Sequence, residues 1–242
     1  MTNSKLIDGK RLSPNHSGKR KQKVTKIAIH HAAGIISGYN LAGVFANPKR
    51  KASANYCLGS DAKLYLTVDE ANRAWTTSSA WCDNRAVTIE VGNSTGSPTY
   101  KISDDVLAKL IDLVYDICKR NNIYPCTYTG DKTGVLQMHR WYKGTACPGP
   151  YLSTKFQYIA DEVNKRLDKD KKKDLEPYII KVDDKYKVTV GALNIRSAPS
   201  PYSKKVGVIT DGGIYTIVEQ NGNWGRLKSG AGWISLDYTK KL

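Results

Sequence analysis

An α/β fold with a mixed central β-sheet covered by helices, followed by a small all-β barrel, is predicted by three features of this sequence. Strand-like and helix-like periodicities alternate up to about residue 167, short β-rich runs take over after residue 178, and seven consecutive charged residues, Asp168 to Asp174, stand between them. A chain of 242 residues, 40% of them hydrophobic, is long enough for one core of ordinary size and a smaller second unit. Domains are therefore expected at 1–167 and 178–242. The stretch between them, 168–177 ("DKDKKKDLEP"), can bury almost nothing and reads as a solvated linker or a fraying helix end.

The elements follow in chain order. "KVTKIAIHH" (23–31) places Ile27 and Ile29 on one face of a strand and Ala28 and His30 on the other. "AVTIEVGN" (86–93) repeats the pattern, with Val87, Ile89 and Val91 opposed to Thr88 and Glu90. In "SDDVLAKLIDLVYDICKR" (103–120) Ser103 caps a helix whose positive end suits Asp104 and Asp105, and Leu107, Leu110, Ile111, Val114, Ile117 and Cys118 form its apolar stripe. "VLQMH" (135–139) reads as a further strand and 153–167 as a closing helix. Beyond the charged stretch, "YKVTV", "LNIRS", "KVGVI", "IYTIVEQ", "WGRLK" and "GWISL", punctuated by Gly, Pro, Asn and Ser, predict the barrel.

Bulk composition narrows the function classes. Lys and Arg number 38 against 22 acids, a formal charge of +16, so an anionic partner is the default expectation. The charge is shared: residues 1–177 carry 28 bases and 17 acids, residues 178–242 carry 10 and 5. No apolar run approaches the roughly 18 residues that cross a bilayer, and "MTNSKLIDGKRLS" lacks the apolar core of a secretory signal. Synthesis in a host cytoplasm is expected, with action elsewhere only after release. Five cysteines, an odd number at irregular spacing, do not form a disulfide framework, although the sequence leaves open a bridge between Cys82 and Cys126.

Chemistry concentrates in "HRWYKGTACPGPYL" (139–152). His139 and Cys147 are too far apart for one helical turn and meet only if the intervening chain folds back as a loop. With His30 at the end of another strand they make two imidazoles and a thiolate, three ligands for tetrahedral Zn²⁺ with a fourth position left for water. Glu90 lies on the same alternating face as His30 does in its own strand, where a carboxylate can act as general base. Because neighbours on a strand point to opposite faces, only one of His30 and His31 can reach the metal. His16 reads as a loop residue, and Cys57 and Cys118 as core.

"IAIHHAA", "ANYCLG", "AVTIEVGN" and "MHRWYKGTACPG" occur in the order found in zinc-dependent N-acetylmuramoyl-L-alanine amidases of the peptidoglycan-recognition-protein and phage-lysozyme type, which residues 24–167 resemble. The resemblance implies His30, His139 and Cys147 as zinc ligands, with His31 a core or hydrogen-bonding neighbour. It also implies Tyr56 beside the reacting carbonyl and Glu90 as the glutamate of those members that have one. Thr145, two residues before the cysteine, stands where members place a lysine or a threonine and takes a supporting role as a single hydrogen-bond donor. Arg140 and Lys143 are candidates for stem-peptide carboxylates.

"LNIRSAPS", "GVITDGGIYTIVEQNGNWGRLK" and "AGWISLDYTKKL" resemble the bacterial SH3-like cell-wall-binding domains of phage endolysins and wall hydrolases. Trp224, Trp233 and Tyr238 are candidates for a wall-binding groove, in competition with the barrel's own core. Together the resemblances imply a peptidoglycan amidase, an endolysin or prophage autolysin for a Gram-positive wall. Its expected partners are peptidoglycan, through stem peptide and muramic acid, and anionic wall polymers. A non-catalytic peptidoglycan receptor is the alternative, disfavoured because such a receptor needs neither Cys147 nor Glu90. No nucleic-acid-binding motif is present.

Overall fold

The protein is described here as a computed structural model covering residues 2–175 and 179–242. The chain divides into two compact units, Met1–Asp170 and Lys171–Leu242. The last helix of the first unit continues through Leu175, so residues 168–175 of the expected linker are helical. Residues 176 and 177 of that stretch lie outside the described residues.

In chain order the first unit contains β1 (Gly9–Lys10), β2 (His16–Lys19), β3 (Lys26–His31), α1 (Gly38–Ala46), β4 (Tyr56–Leu58), β5 (Leu64–Leu66) and β6 (Asn72–Ala74). It continues with α2 (Ala80–Arg85), β7 (Ala86–Val91), α3 (Asp104–Arg120), β8 (Leu136–Met138), α4 (Gly149–Ser153) and α5 (Phe156–Leu175). Six strands form a mixed sheet in the order β1-β5-β4-β7-β3-β8. β3 lies between β7 and β8, parallel to both, and β4 runs parallel to β7 but antiparallel to β5.

The two faces of this sheet bury different things. Ile27, Ile29, Val87 and Ile89 point into the main core with the apolar side of α3 and with Phe156, Ile159 and Val163 of α5. Ser103 accepts from the Val106 amide as the N-cap of α3, and Asp104 and Asp105 occupy its first turn. Leu110, Leu113 and Ile117 are fully buried, worth about 1.5–3 kcal/mol each. On the opposite face α1 packs Leu41 and Phe45 near Cys57, and α2 packs Cys82 on Ala28 and Ala86. Cys126 belongs to the main core, so Cys82 and Cys126 sit in separate clusters and all five cysteines are free thiols.

The second unit contains β9 (Ile180–Val188), β10 (Leu193–Arg196), β11 (Lys205–Ile209), β12 (Ile214–Asn221), β13 (Trp224–Leu227), β14 (Trp233–Ser235) and β15 (Thr239–Lys241). They form one sheet in the order β11-β10-β14-β13-β12-β9-β15, every pairing antiparallel. Its small core is Tyr186, Val188, Leu193, Ile195, Ile209, Ile217, Leu227 and Ile234. Among the described residues no helix is long and apolar enough to cross a membrane.

Candidate metal centre

Strand register assembles the site. His30 pairs with Glu90 across β3 and β7, and Glu90 pairs with Cys57 across β7 and β4, so all three side chains share the sheet face opposite the α3 core. Ile29 pairs with Met138, and His139 therefore leaves the end of β8 beside His30, with ring centroids 4.8 Å apart. After a short 3-10 turn at His139–Trp141, the chain folds back and brings Cys147 to the two imidazoles. The ligand atoms of His30, His139 and Cys147 lie within 4.8 Å of one another. Cys147 Sγ is 3.4 Å from His30 Nδ1, and Glu90 Oε1 is 3.8 Å from the same nitrogen.

The loop before Cys147 is tied from several sides. Thr145 Oγ1 accepts the Cys147 amide at 3.2 Å, and the Arg140 amide donates to the Cys147 carbonyl at 3.1 Å. The Arg140 guanidinium donates to the carbonyls of Ala146, Cys147 and Gly149 and to Ser153 Oγ. The Cys147–Pro148 peptide is cis, and Gly149 follows at φ +84°. A Cβ on Gly149 would meet the His31 ring at 2.6 Å, so both backbone conformation and space require glycine there.

Electrostatics and polar satisfaction mark the cluster as a ligand set. Burial, with His139 and His31 nearby, pushes His30 well below 6.5, and burial with Lys143 lowers His139, so both imidazoles are neutral near pH 7. Burial and then Glu90 raise the Cys147 thiol to about 12, while the His31 amide and Arg140 oppose them. Burial raises Glu90 to about 8, with Arg50 acting in the opposite direction. The Nε2 atoms of His30 and His139 are buried without a hydrogen-bond partner. Two neutral imidazoles and a thiol on a common point, with buried ring nitrogens unsatisfied, fit a metal ion that accepts nitrogen and sulfur donors.

Other expected site residues lie elsewhere. Tyr56 pairs with Ile89, which puts its side chain on the sheet face away from Glu90. It is fully buried, donates to Glu70 Oε1 at 2.6 Å and accepts the Ser4 amide at 2.8 Å. Tyr56 therefore does not stand beside a reacting carbonyl; it belongs to a core network in which Glu70 also pairs with Arg120. Arg140 faces the loop carbonyls and braces the cysteine instead of meeting a carboxylate. Lys143 and Thr145 are exposed beside the metal loop. His31 is half-buried edge-on to Tyr100, 5.2 Å between centroids.

A groove of about 290 Å³ adjoins Glu90, walled by Ile35, Ile36, Leu41, Val44 and Phe45 with Arg50 at its side. Sequence reading missed Arg50, which lies in a short turn after α1 and becomes a neighbour of Glu90 only through packing. In the second unit Trp224 and Tyr238 line a cleft of about 500 Å³ with Asn194, Arg196, Pro201 and Asp237. Trp233 does not line it: this residue is 7% exposed, between Arg196 and Arg226 in the sheet.

Fold and site together define a mixed α/β domain with a metal-ligand cluster at the carboxyl ends of parallel strands. Residues 20–150 match the family described as N-acetylmuramoyl-L-alanine amidase, and residues 191–240 match the bacterial SH3 domain. The chain belongs to the N-acetylmuramoyl-L-alanine amidase family, and it is a peptidoglycan hydrolase. The fold is shared with PlyL (TM-score 0.52, 14% identity, 65% of this chain and 96% of that one). It is also shared with a mutant endolysin from Bacillus subtilis (0.51, 16%, 65% and 99%) and with the Staphylococcus aureus hydrolase AmiA in complex with its ligand (0.51, 14%, 65% and 82%). No curated protein matches the chain.

Proposed function

We propose that this chain hydrolyses the amide between N-acetylmuramic acid and L-alanine with a zinc ion held by His30, His139 and Cys147. In this reading it is an endolysin or prophage autolysin that acts on a Gram-positive wall after release from the cytoplasm, with residues 178–242 as its wall-binding domain. The observation that carries the reading is the convergence of three donor groups and one carboxylate, with orphaned imidazole nitrogens, on the face of a family amidase sheet. When bound, zinc supplies a Lewis acid that acidifies water and polarises a carbonyl.

The chain's own groups perform the proton chemistry. Glu90 takes one proton from the attacking water as the new C–O bond forms on the lactyl carbonyl, and it returns that proton to the alanine nitrogen as the C–N bond breaks. Burial raises its proton affinity above that of an ordinary carboxylate, which strengthens it as the acceptor of the water's proton once a bound cation favours its ionised form. Thr145 uses its oxygen to accept the Cys147 amide, which leaves its hydroxyl hydrogen free to support the developing oxyanion. The apolar groove beside Glu90 suits the alanine end of the stem peptide, with Arg50 at its side as a partner for a peptide carboxylate, and the exposed Lys143 of the metal loop is a candidate for another.

Digestion of purified walls tests the bond assignment. New L-alanine amino termini and free stem peptides are expected without new reducing sugar ends, because glycoside hydrolysis ordinarily uses two flanking carboxylates and, among the described residues, Glu90 is the carboxylate found beside the ligand cluster. Glu90→Gln is expected to slow that release about 100-fold or more while metal content stays unchanged. Reducing ends as the main product would identify a glycosidase, and amino termini other than alanine an endopeptidase.

A further inference from the structure

The amino ends of the central strands, remote from the metal cluster, carry a second built surface. A cleft of about 670 Å³ is lined by Lys19, Arg20, Lys21, Lys23, Thr25 and Arg85, with no carboxylate in its lining. β3 begins at Lys26 and carries His30 near its other end. Four residues of strand at about 3.3 Å each put the cleft on the order of 13 Å or more from the metal ligands.

This cleft is pre-organised. Arg20 is buried and anchors the basic segment: Nε donates to the Glu70 carbonyl at 2.6 Å, Nη2 to Asn55 Oδ1 at 2.8 Å, and Nη1 to the Asp83 carbonyl. The Arg20 amide donates to Ala71 O at 2.9 Å, the Lys21 amide to Asn84 Oδ1 at 3.1 Å, and the Thr25 amide to Arg85 O at 2.9 Å. Arg85 is held over the Trp81 ring, 4.8 Å from its centroid, and donates to the Trp81 carbonyl at 3.1 Å. Glu70 and Asp83 lie close enough to Arg20 to favour its charge. Lys19, Lys21 and Lys23 are exposed, and among the described residues their ammonium groups have no hydrogen-bond or ion-pair partner.

We propose that this cleft binds the phosphodiester backbone of a polyanionic wall polymer, a polyol chain linked by phosphates. Lys19, Lys21 and Lys23 on a segment held by backbone hydrogen bonds, with Arg85 of α2 beside them, attract a chain of regularly spaced anions at little ordering cost. The polymer is favoured over a nucleic acid because the chain belongs to a peptidoglycan-hydrolysing family. The cleft also offers the exposed Trp81 at its border but no base-reading motif. Such a contact would hold the hydrolase against the wall independently of cleavage. The inference rests on the wall as the place of action, not on the identity of the bond cut.

The test uses the full chain and soluble poly(glycerol phosphate), which contains no muramoyl-alanine bond, so amide cleavage and polymer binding are read separately. The triple variant K19Q/K21Q/K23Q is expected to bind this polymer about 10-fold more weakly at about 0.1 M salt, with a clearly shallower salt dependence, as follows from losing up to three counterion-releasing contacts. A charge-matched control, K5Q/K101Q/K169Q, is expected to lose less than about 2-fold, since screened charges remote from the cleft contribute little. Thermal melting of both variants checks that each is folded. Equal loss in the two triples would overturn the site in favour of diffuse charge, as would unchanged binding in the first. Equal or tighter binding of duplex DNA at matched phosphate concentration, lost in the same triple, would overturn the choice of polymer.

Discussion

Cys147 Sγ lies 3.4 Å from His30 Nδ1 although 117 residues separate them in the chain. The contact depends on three independent placements: His30 near the end of the strand flanked by β7 and β8, His139 at the end of β8, and a folded-back loop that Arg140 holds by its carbonyls. Two neutral imidazoles and a thiol brought this close gain little from one another and much from a shared cation.

Metal removal is therefore expected to abolish wall lysis, and added Zn²⁺ to restore it, with about one zinc per chain in active protein. Elemental analysis beside a turbidity assay checks this. Full activity in protein shown to be metal-free would refute the ligand assignment.

Tyr56→Phe is expected to keep kcat/KM within about 2-fold while lowering stability by about 1–3 kcal/mol, since the change leaves Glu70 Oε1 and the buried Ser4 amide each short of a partner. Paired kinetics and urea denaturation separate the two effects. A loss of activity without a loss of stability would return Tyr56 to the reacting centre.

Arg140→Ala is expected to weaken metal retention about 10-fold, measured by competition with a chelator, because the cysteine loop loses its brace. Arg140→Lys rescues little: an ammonium cannot reproduce a planar fork spread over several loop acceptors. An unchanged metal affinity with a raised KM would instead indicate a direct contact with substrate.

In the second unit the two tryptophans should separate. Trp224→Ala, at the cleft, is expected to reduce binding of the isolated unit 178–242 to purified walls about 10-fold while its melting temperature changes little. Trp233→Ala is expected to destabilise the unit by about 3–5 kcal/mol through loss of a buried aromatic side chain. Equal wall binding by the Trp224 variant and the parent unit would move the wall contact away from this cleft.

Much of the architecture was legible because periodicity is local. The alternation in "KIAIHH" and "AVTIEV" determined two strands and which residues share a face, and the stripe from Leu107 to Cys118 determined a helix with its cap. The donor types and the loop-forming spacing of His139 and Cys147 made a metal site readable before any geometry. Tertiary structure decided what depends on partners distant in the chain. Tyr56 carries the right chemistry for a site residue, but pairing with Ile89 turns it to the core and Glu70 takes its hydroxyl. Arg140 is exposed in a basic loop, yet the turn it occupies aims its guanidinium at the loop's own carbonyls. Arg50 belongs to no motif, and only the packing of α1 beside β4 brings it near Glu90. A side chain's identity sets the bonds it can make; strand register and loop closure set which of those partners it meets, and these are cooperative properties of the packed chain.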